Sequence, residues 1–236
     1  VNWRELLNET ERCLYCGNGY DAPVNWAVLM GRTEGQALCE PCRRSLVYLS
    51  RKDVCRRCGR EDAVVCSDCR RWEAEPFWQE HDFSNVSLYR YNPFLKDMIA
   101  RLKYRGDACL AGIFTKEMQM LCQKSGPRAA VVPIPLTDER HYERGFNQAA
   151  VLAGHCGPME LLVREGESSK QSKRTRNERI AKTAGAIRVK QGEAAAGLHI
   201  ILIDDIYTTG ATVHSAARVL YEGGAESVRS VTLARA

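Results

Sequence analysis

The stretch "IILIDDIYTTGATV", residues 200–213, constrains the fold more than any other part of the chain. Four apolar residues run directly into two aspartates, then into a loop of small and hydroxylated residues. On a strand, Ile200 and Leu202 face one way and Ile201 and Ile203 the other, so neither face is polar. Such a strand must be covered on both sides, which is the condition of a parallel sheet between helices. The flanking sequence agrees. "VSLYRY" (86–91), "AAVVPIP" (129–135), "MELLVRE", "GAIRV" and "SVRSVTLARA" read as strands. Between them, "NPFLKDMIARLKYRG" reads as a helix capped by Asn92, opened by Pro93 and ended by Gly106, with Phe94, Leu95, Met98, Ile99 and Leu102 on its buried face. Helices are also expected in "LAGIFTKEMQMLCQK", "NQAAVLAGHC" and "VHSAARVLYEGGA". Strands alternating with helices give an α/β class with a largely parallel sheet.

In such sheets ligands bind beyond the carboxyl ends of the strands, where "DDIYTTGAT" lies. Backbone N–H groups and hydroxyls of Thr208, Thr209, Gly210, Ala211 and Thr212 can wrap a phosphate at the N-terminus of the following helix, and Gly210 lets the backbone come close. The pattern is neither a Walker A loop nor a dinucleotide fingerprint. Asp204 and Asp205 repel one another, and burial would raise at least one pKa. At a strand end they are expected to stay hydrated and ionised, as acceptors for vicinal hydroxyls or partners of a magnesium ion. A diol binder beside a phosphate cradle suits a ribose 5-phosphate. A helix cap with a turn accounts for one of these residues and not for the whole run.

The first 70 residues have a different character. Of eleven cysteines, eight form the C-x-x-C knuckles Cys13/Cys16, Cys39/Cys42, Cys55/Cys58 and Cys66/Cys69. No secretory signal is read at the N-terminus, so reduced thiols, a cytoplasmic location and structural zinc are expected rather than disulfides. Eight thiolates suffice for two closed Zn(Cys)4 sites, and Gly17 and Gly59 suit the tight turns. Sequential pairing of knuckles is the expectation; spacing alone also allows first with third and second with fourth. The knuckles lack ferredoxin spacing. Residues 1–80 are expected as a cysteine-rich zinc-ribbon domain and 81–236 as the α/β domain. "RRWEAEPFWQEHDF" reads as an irregular linker, whose Trp72, Phe77 and Trp78 either pack at the boundary or stack on bases. No run is apolar enough for a membrane span.

The net charge of +5 decides little, but Arg164 to Lys190 is densely basic. Such a run either attracts phosphates or forms a solvated face.

The run Asp204-Asp205, Thr208-Thr209-Gly210 and Thr212 resembles the phosphoribosyl pyrophosphate (PRPP) signature of type I phosphoribosyltransferases. With "LKYRGD" (102–107), "VPIPL" (132–136), "RGFNQ" (144–148) and the knuckles, the chain resembles the ComF family of competence proteins along essentially its whole length. The resemblance implies a phosphoribosyltransferase-like sheet preceded by zinc ribbons. It implies that Asp204 and Asp205 hold the ribose hydroxyls and that Thr208, Thr209, Gly210 and Thr212 hold the 5′-phosphate, with PRPP and Mg2+ as ligands. Residues 136–140 would take the pyrophosphate-loop position, followed by Arg144, Asn147 and Gln148, and the segment 170–182 that of a flexible loop. Lys103 is a further phosphate contact or a solvated lysine. The family implies natural transformation, a ComFA-type helicase partner and single-stranded DNA. Two other readings stand beside it: an active transferase on an unidentified base or amine, and a zinc-dependent single-strand binder.

Overall fold

The computed structural model describes residues 10–21, 37–50, 52–61, 64–104, 109–166, 187–191 and 194–236. The expected helix end at Gly106 and the basic segment 170–182 lie outside them. The chain divides into two compact units, residues 1–47 and 48–236.

In the first unit, strands β1 (Thr10–Arg12) and β2 (Gly19–Asp21) pair antiparallel around the Cys13–Cys16 turn, and helix α1 (Glu40–Arg44) starts from Cys39. Gly17 makes the turn possible: its φ of 74° is left-handed, and its N–H donates to the Cys13 carbonyl at 2.9 Å.

The second unit holds α2 (Ser67–Glu73), α3 (Pro76–Glu80), β3 (Asn85–Arg90), α4 (Pro93–Tyr104), α5 (Cys109–Ser125), β4 (Ala130–Pro133), α6 (Asp138–Arg144), α7 (Gln148–Leu152), β5 (Leu162–Arg164), β6 (Ile187–Val189), β7 (His199–Tyr207), α8 (Ala211–Glu222) and β8 (Ser227–Arg235). Strands β3, β8, β7 and β4 form one sheet in that order, and every neighbouring pair is parallel. Ile200 to Ile203 are at most 1% exposed, so β7 is covered on both faces as its sequence requires. Helix α5 packs on β3 and β8, α7 on β4 and β7, and α8 on β7 and β8. Asn92 caps α4, accepting from the Leu95 N–H at 2.8 Å.

Three local expectations are revised. Strand β7, expected over "HIILIDD", does not end at the aspartates; it runs on to Tyr207, because β8 pairs alongside it from His199↔Ser227 to Tyr207↔Arg235. Strands β5 and β6 do not join the parallel sheet, but form a separate antiparallel ribbon, Leu162↔Val189 to Arg164↔Ile187. Residues 67–80 are not an irregular linker: Cys66 and Pro76 start two short helices. Their aromatics are packing residues, with Trp78 buried and Trp72 stacked on His214 at 4.2 Å.

Candidate functional site

The eight knuckle cysteines gather sequentially. Cys13, Cys16, Cys39 and Cys42 form one group and Cys55, Cys58, Cys66 and Cys69 the other, with the sulfurs of each group within 4.8 Å of one another. The Cys16–Cys39 and Cys58–Cys66 sulfurs are 3.7 and 3.6 Å apart. A tetrahedron with metal–sulfur bonds of about 2.3 Å has edges of about 3.8 Å. Both groups therefore fit a tetrahedral ion, and each can hold one. In the second group, Gly59 closes the turn at φ 74°, and its N–H donates to the Cys55 carbonyl at 2.8 Å. The Cys58 thiol is pulled down to about 5 by hydrogen bonding with Cys69 and by the Arg235 guanidinium, against its burial.

The second group of residues collects at the carboxyl end of β7. Adjacent strand positions face opposite ways, and the two aspartates differ accordingly. Asp205 is buried and forms an ion pair with Lys103 of α4. Asp204 is half-buried, is anchored by the Asp205 N–H at 2.8 Å, and lines a cleft whose floor is the loop Thr208 to Thr212. Neither carboxylate is as hydrated as a strand end would leave it, since Asp205 is buried and Asp204 half-buried. Burial, and then the charge of Asp205, push Asp204 up to about 7, because it sits inside the strand rather than beyond it.

The loop turns at Gly210, whose φ of 84° is left-handed, and α8 begins immediately at Ala211. A Cβ at Gly210 would collide with the Tyr207 hydroxyl and come within 3.0 Å of His214 Cδ2. Thr208 and Thr209 are exposed, and Ala211 and Thr212 open the helix, so hydroxyls and helix N–H groups border the same cleft.

One arginine charge, that of Arg164, interacts with Asp204. Arg164 of β5 loses basicity through burial and through repulsion from Arg140 and Arg144 of α6, while Asp204 opposes that shift. These four charges therefore share one neighbourhood. The local sequence builds it. Thr137 accepts from the Arg140 N–H to start α6, Gly145 at φ 75° ends it, and Asn147 starts α7 while donating to the Ile134 carbonyl at 2.9 Å. Arg144 donates to Gln148 at 2.9 Å.

A family model described as "Phosphoribosyl transferase domain" matches residues 157–236. The chain is 38% identical over 230 residues to "Competence protein ComFC" of Bacillus subtilis, with 94% of each chain covered. It is 31% identical over 228 residues to "Competence protein ComFC" of Streptococcus pneumoniae, covering 95% of this chain and all of that one. The chain belongs to the ComF family. It is also 29% identical over 215 residues to "DNA utilization protein YhgH" of Salmonella typhimurium, covering 84% of this chain and 90% of the relative. The parallel sheet with its helices is thus the phosphoribosyltransferase fold.

In this ComF-family chain, the residues expected from sequence fall into the cleft (Asp204, Thr208 to Thr212), onto its neighbour Asp205 (Lys103), near Arg164 (Arg144), and into the two cysteine groups. Sequence reasoning missed three contributors. Arg164 was read as the start of a basic run, although its place at the end of a strand was a signal. Trp72 donates through Nε1 to the Thr209 carbonyl at 2.9 Å. Arg235, the last residue of the closing strand, is 4% exposed and donates to the carbonyls of Tyr207 and Thr208 at 3.1 and 3.0 Å. Among the described residues, no helix is long and apolar enough to cross a membrane.

Proposed function

We propose that this chain binds PRPP with Mg2+ between Asp204 and Thr212 and acts in the uptake of single-stranded DNA during natural transformation. The observation that carries the binding reading is the cleft itself: a carboxylate near the end of β7, a hydroxyl-rich loop at the start of α8, and the charge of Arg164 acting on that carboxylate. In this reading Asp204 and Asp205 serve the ribose hydroxyls, and Thr208, Thr209, Gly210, Ala211 and Thr212 the 5′-phosphate. Arg144, with Arg140 and Arg164, serves the pyrophosphate. Lys103 reaches a phosphate only if its pair with Asp205 opens. Two zinc ions occupy the cysteine groups and serve structure. The role in competence rests on the relatives named for it, and it carries with it a cytoplasmic location, a ComFA-type helicase partner and contact with single-stranded DNA. Calorimetry tests the binding half: PRPP with Mg2+ binds the native chain, and Asp204→Ala with Asp205→Ala abolishes it. Equal binding by the double variant would sink the assignment.

A second reading, phosphoribosyl transfer to a base or amine, is favoured by the β5–β6 ribbon, because it brings Arg164 beside Asp204 where an acceptor would have to sit. Pyrophosphate release across a panel of bases and amines decides it; silence with every acceptor rejects turnover while leaving PRPP binding untouched.

A further inference from the structure

The second cysteine group lies directly behind the phosphate loop, and two side chains join them. Helix α2 starts on the Cys66–Cys69 knuckle and carries Trp72, whose Nε1–H donates to the Thr209 carbonyl at 2.9 Å. The Trp72 ring lies nearly parallel to that of His214, 9° from coplanar, on the first turns of α8. From the other side comes Arg235 at the end of β8. One arm, Nη2, donates to Cys58 Sγ at 3.3 Å; the other, Nη1, donates to the carbonyls of Tyr207 and Thr208 at 3.1 and 3.0 Å. The guanidinium also sits 5.0 Å from the Tyr207 ring centre.

Three consecutive carbonyls, those of Tyr207, Thr208 and Thr209, are therefore held by Trp72 or by the arginine that touches a cysteine ligand. A trans peptide is planar, and its C=O and N–H point in opposite directions. Fixing these carbonyls fixes the N–H groups of Thr208, Thr209 and Gly210, each aimed away from the side chain that holds its carbonyl. Those are the N–H donors a bound phosphate needs.

We propose that Arg235 and Trp72 are positioning residues through which the metal held by Cys55, Cys58, Cys66 and Cys69 sets the shape of the phosphate loop, so that metal occupancy of this group and binding of PRPP are coupled. The inference rests on the PRPP reading of the cleft and deepens it. The ion would gather four sulfurs to one point; that fixes Cys58 beneath Arg235 and sets the start of α2 beneath Trp72. Without the ion neither anchor has a fixed base. Coupling of this kind is reciprocal: if the metal favours PRPP, PRPP must favour the metal by the same factor.

The test measures metal loss from the full-length, metal-loaded chain into a zinc-selective chelator indifferent to magnesium. It is run with and without saturating PRPP and Mg2+, beside calorimetry of PRPP binding. A Cys13→Ser/Cys16→Ser chain isolates release from the second group. We expect PRPP to slow that release about tenfold. Trp72→Phe keeps the ring and removes one donor, and Arg235→Lys keeps the charge and cannot reach sulfur and carbonyls together. Both are expected to keep their metal in the absence of chelator, to bind PRPP about tenfold more weakly, the scale of one hydrogen bond, and to lose the protection. A purely structural role would lower stability without removing ligand-dependent protection. Binding of PRPP by the native chain with unchanged metal release overturns the coupling and leaves the PRPP site standing. Native affinity in both variants overturns the positioning roles. No PRPP binding by the native chain overturns the PRPP reading and this inference with it.

Discussion

Lys103 forms an ion pair with Asp205 across the buried face of β7, and its charge also reaches Asp204. The Asp205 N–H and then the Lys103 charge hold down the pKa of a carboxyl that burial and the Asp205 charge push up. Lys103→Met removes the lysine charge while keeping most of the stem. Asp204 should then hold its proton to higher pH, and the pH at which PRPP binding reaches half its maximum should move upward. Calorimetry from pH 6 to 9 reads the shift; an unmoved profile with weaker binding would instead mean that Lys103 touches the ligand directly.

Asp204 itself gives a second pH test. Its carboxyl sits at about 7, so near neutrality the protonated form competes with the ionised form that accepts hydroxyls or a magnesium ion. Binding of PRPP with Mg2+ should tighten as pH rises through 7. Asp204→Asn should bind at least tenfold more weakly and retain only the pH dependence of the ligand's own phosphates. A parallel slope in both proteins would assign the titration elsewhere.

These two residues mark where sequence was a sufficient guide and where it was not. The cleft was legible because its parts are covalent neighbours: an apolar strand, two acids and a turn residue in one run of the chain. The cysteine groups were legible because each knuckle is local and sequential pairing brings near neighbours together. The end of β7 was not, since it is set by β8 running alongside to Arg235, which no run of apolar residues encodes. Trp72 meets Thr209 across 137 positions and Arg235 meets Cys58 across 177, so only the assembled sheet shows that they converge. The helices at 67–80 are too short for a 3.6-residue period to register. The unfavourable acidity of Asp204 follows from the same extension of β7, because an acid within a paired strand has less water than one beyond its end.

Gly210 is held at φ 84°, with no room for a side chain between Tyr207 and His214. Gly210→Ala adds left-handed strain of about 1–2 kcal/mol and forces the Tyr207 ring or the loop to move. The expected outcome is a lower midpoint of thermal unfolding together with PRPP binding weakened by tenfold or more. Loss of stability with full affinity would show that the loop adapts and that its shape is not what the ligand reads.

The last test concerns stability, where two buried groups titrate with opposite sign. Burial, and then Arg218, hold His214 down at about 3, so the folded chain keeps it neutral while the unfolded chain protonates near 6.5. Its contribution is complete above about 6.5 and is lost as pH falls toward 3. Asp204 is raised to about 7 from an unfolded value near 4, so its contribution is complete below about 4 and is lost as pH rises through 7. Between pH 4 and 6.5 the two oppose, and the native chain should show a shallow dependence of unfolding free energy on pH. His214→Phe, which can keep an aromatic face against Trp72, should unmask the acid: stability should then fall as pH rises from 5 to 7.5. Asp204→Asn should unmask the histidine, with stability rising over the same interval by an amount on the order of 1–2 kcal/mol. Urea unfolding at the two pH values reads both slopes, and slopes of the same sign in the two variants would show that at least one of these side chains is not buried as described.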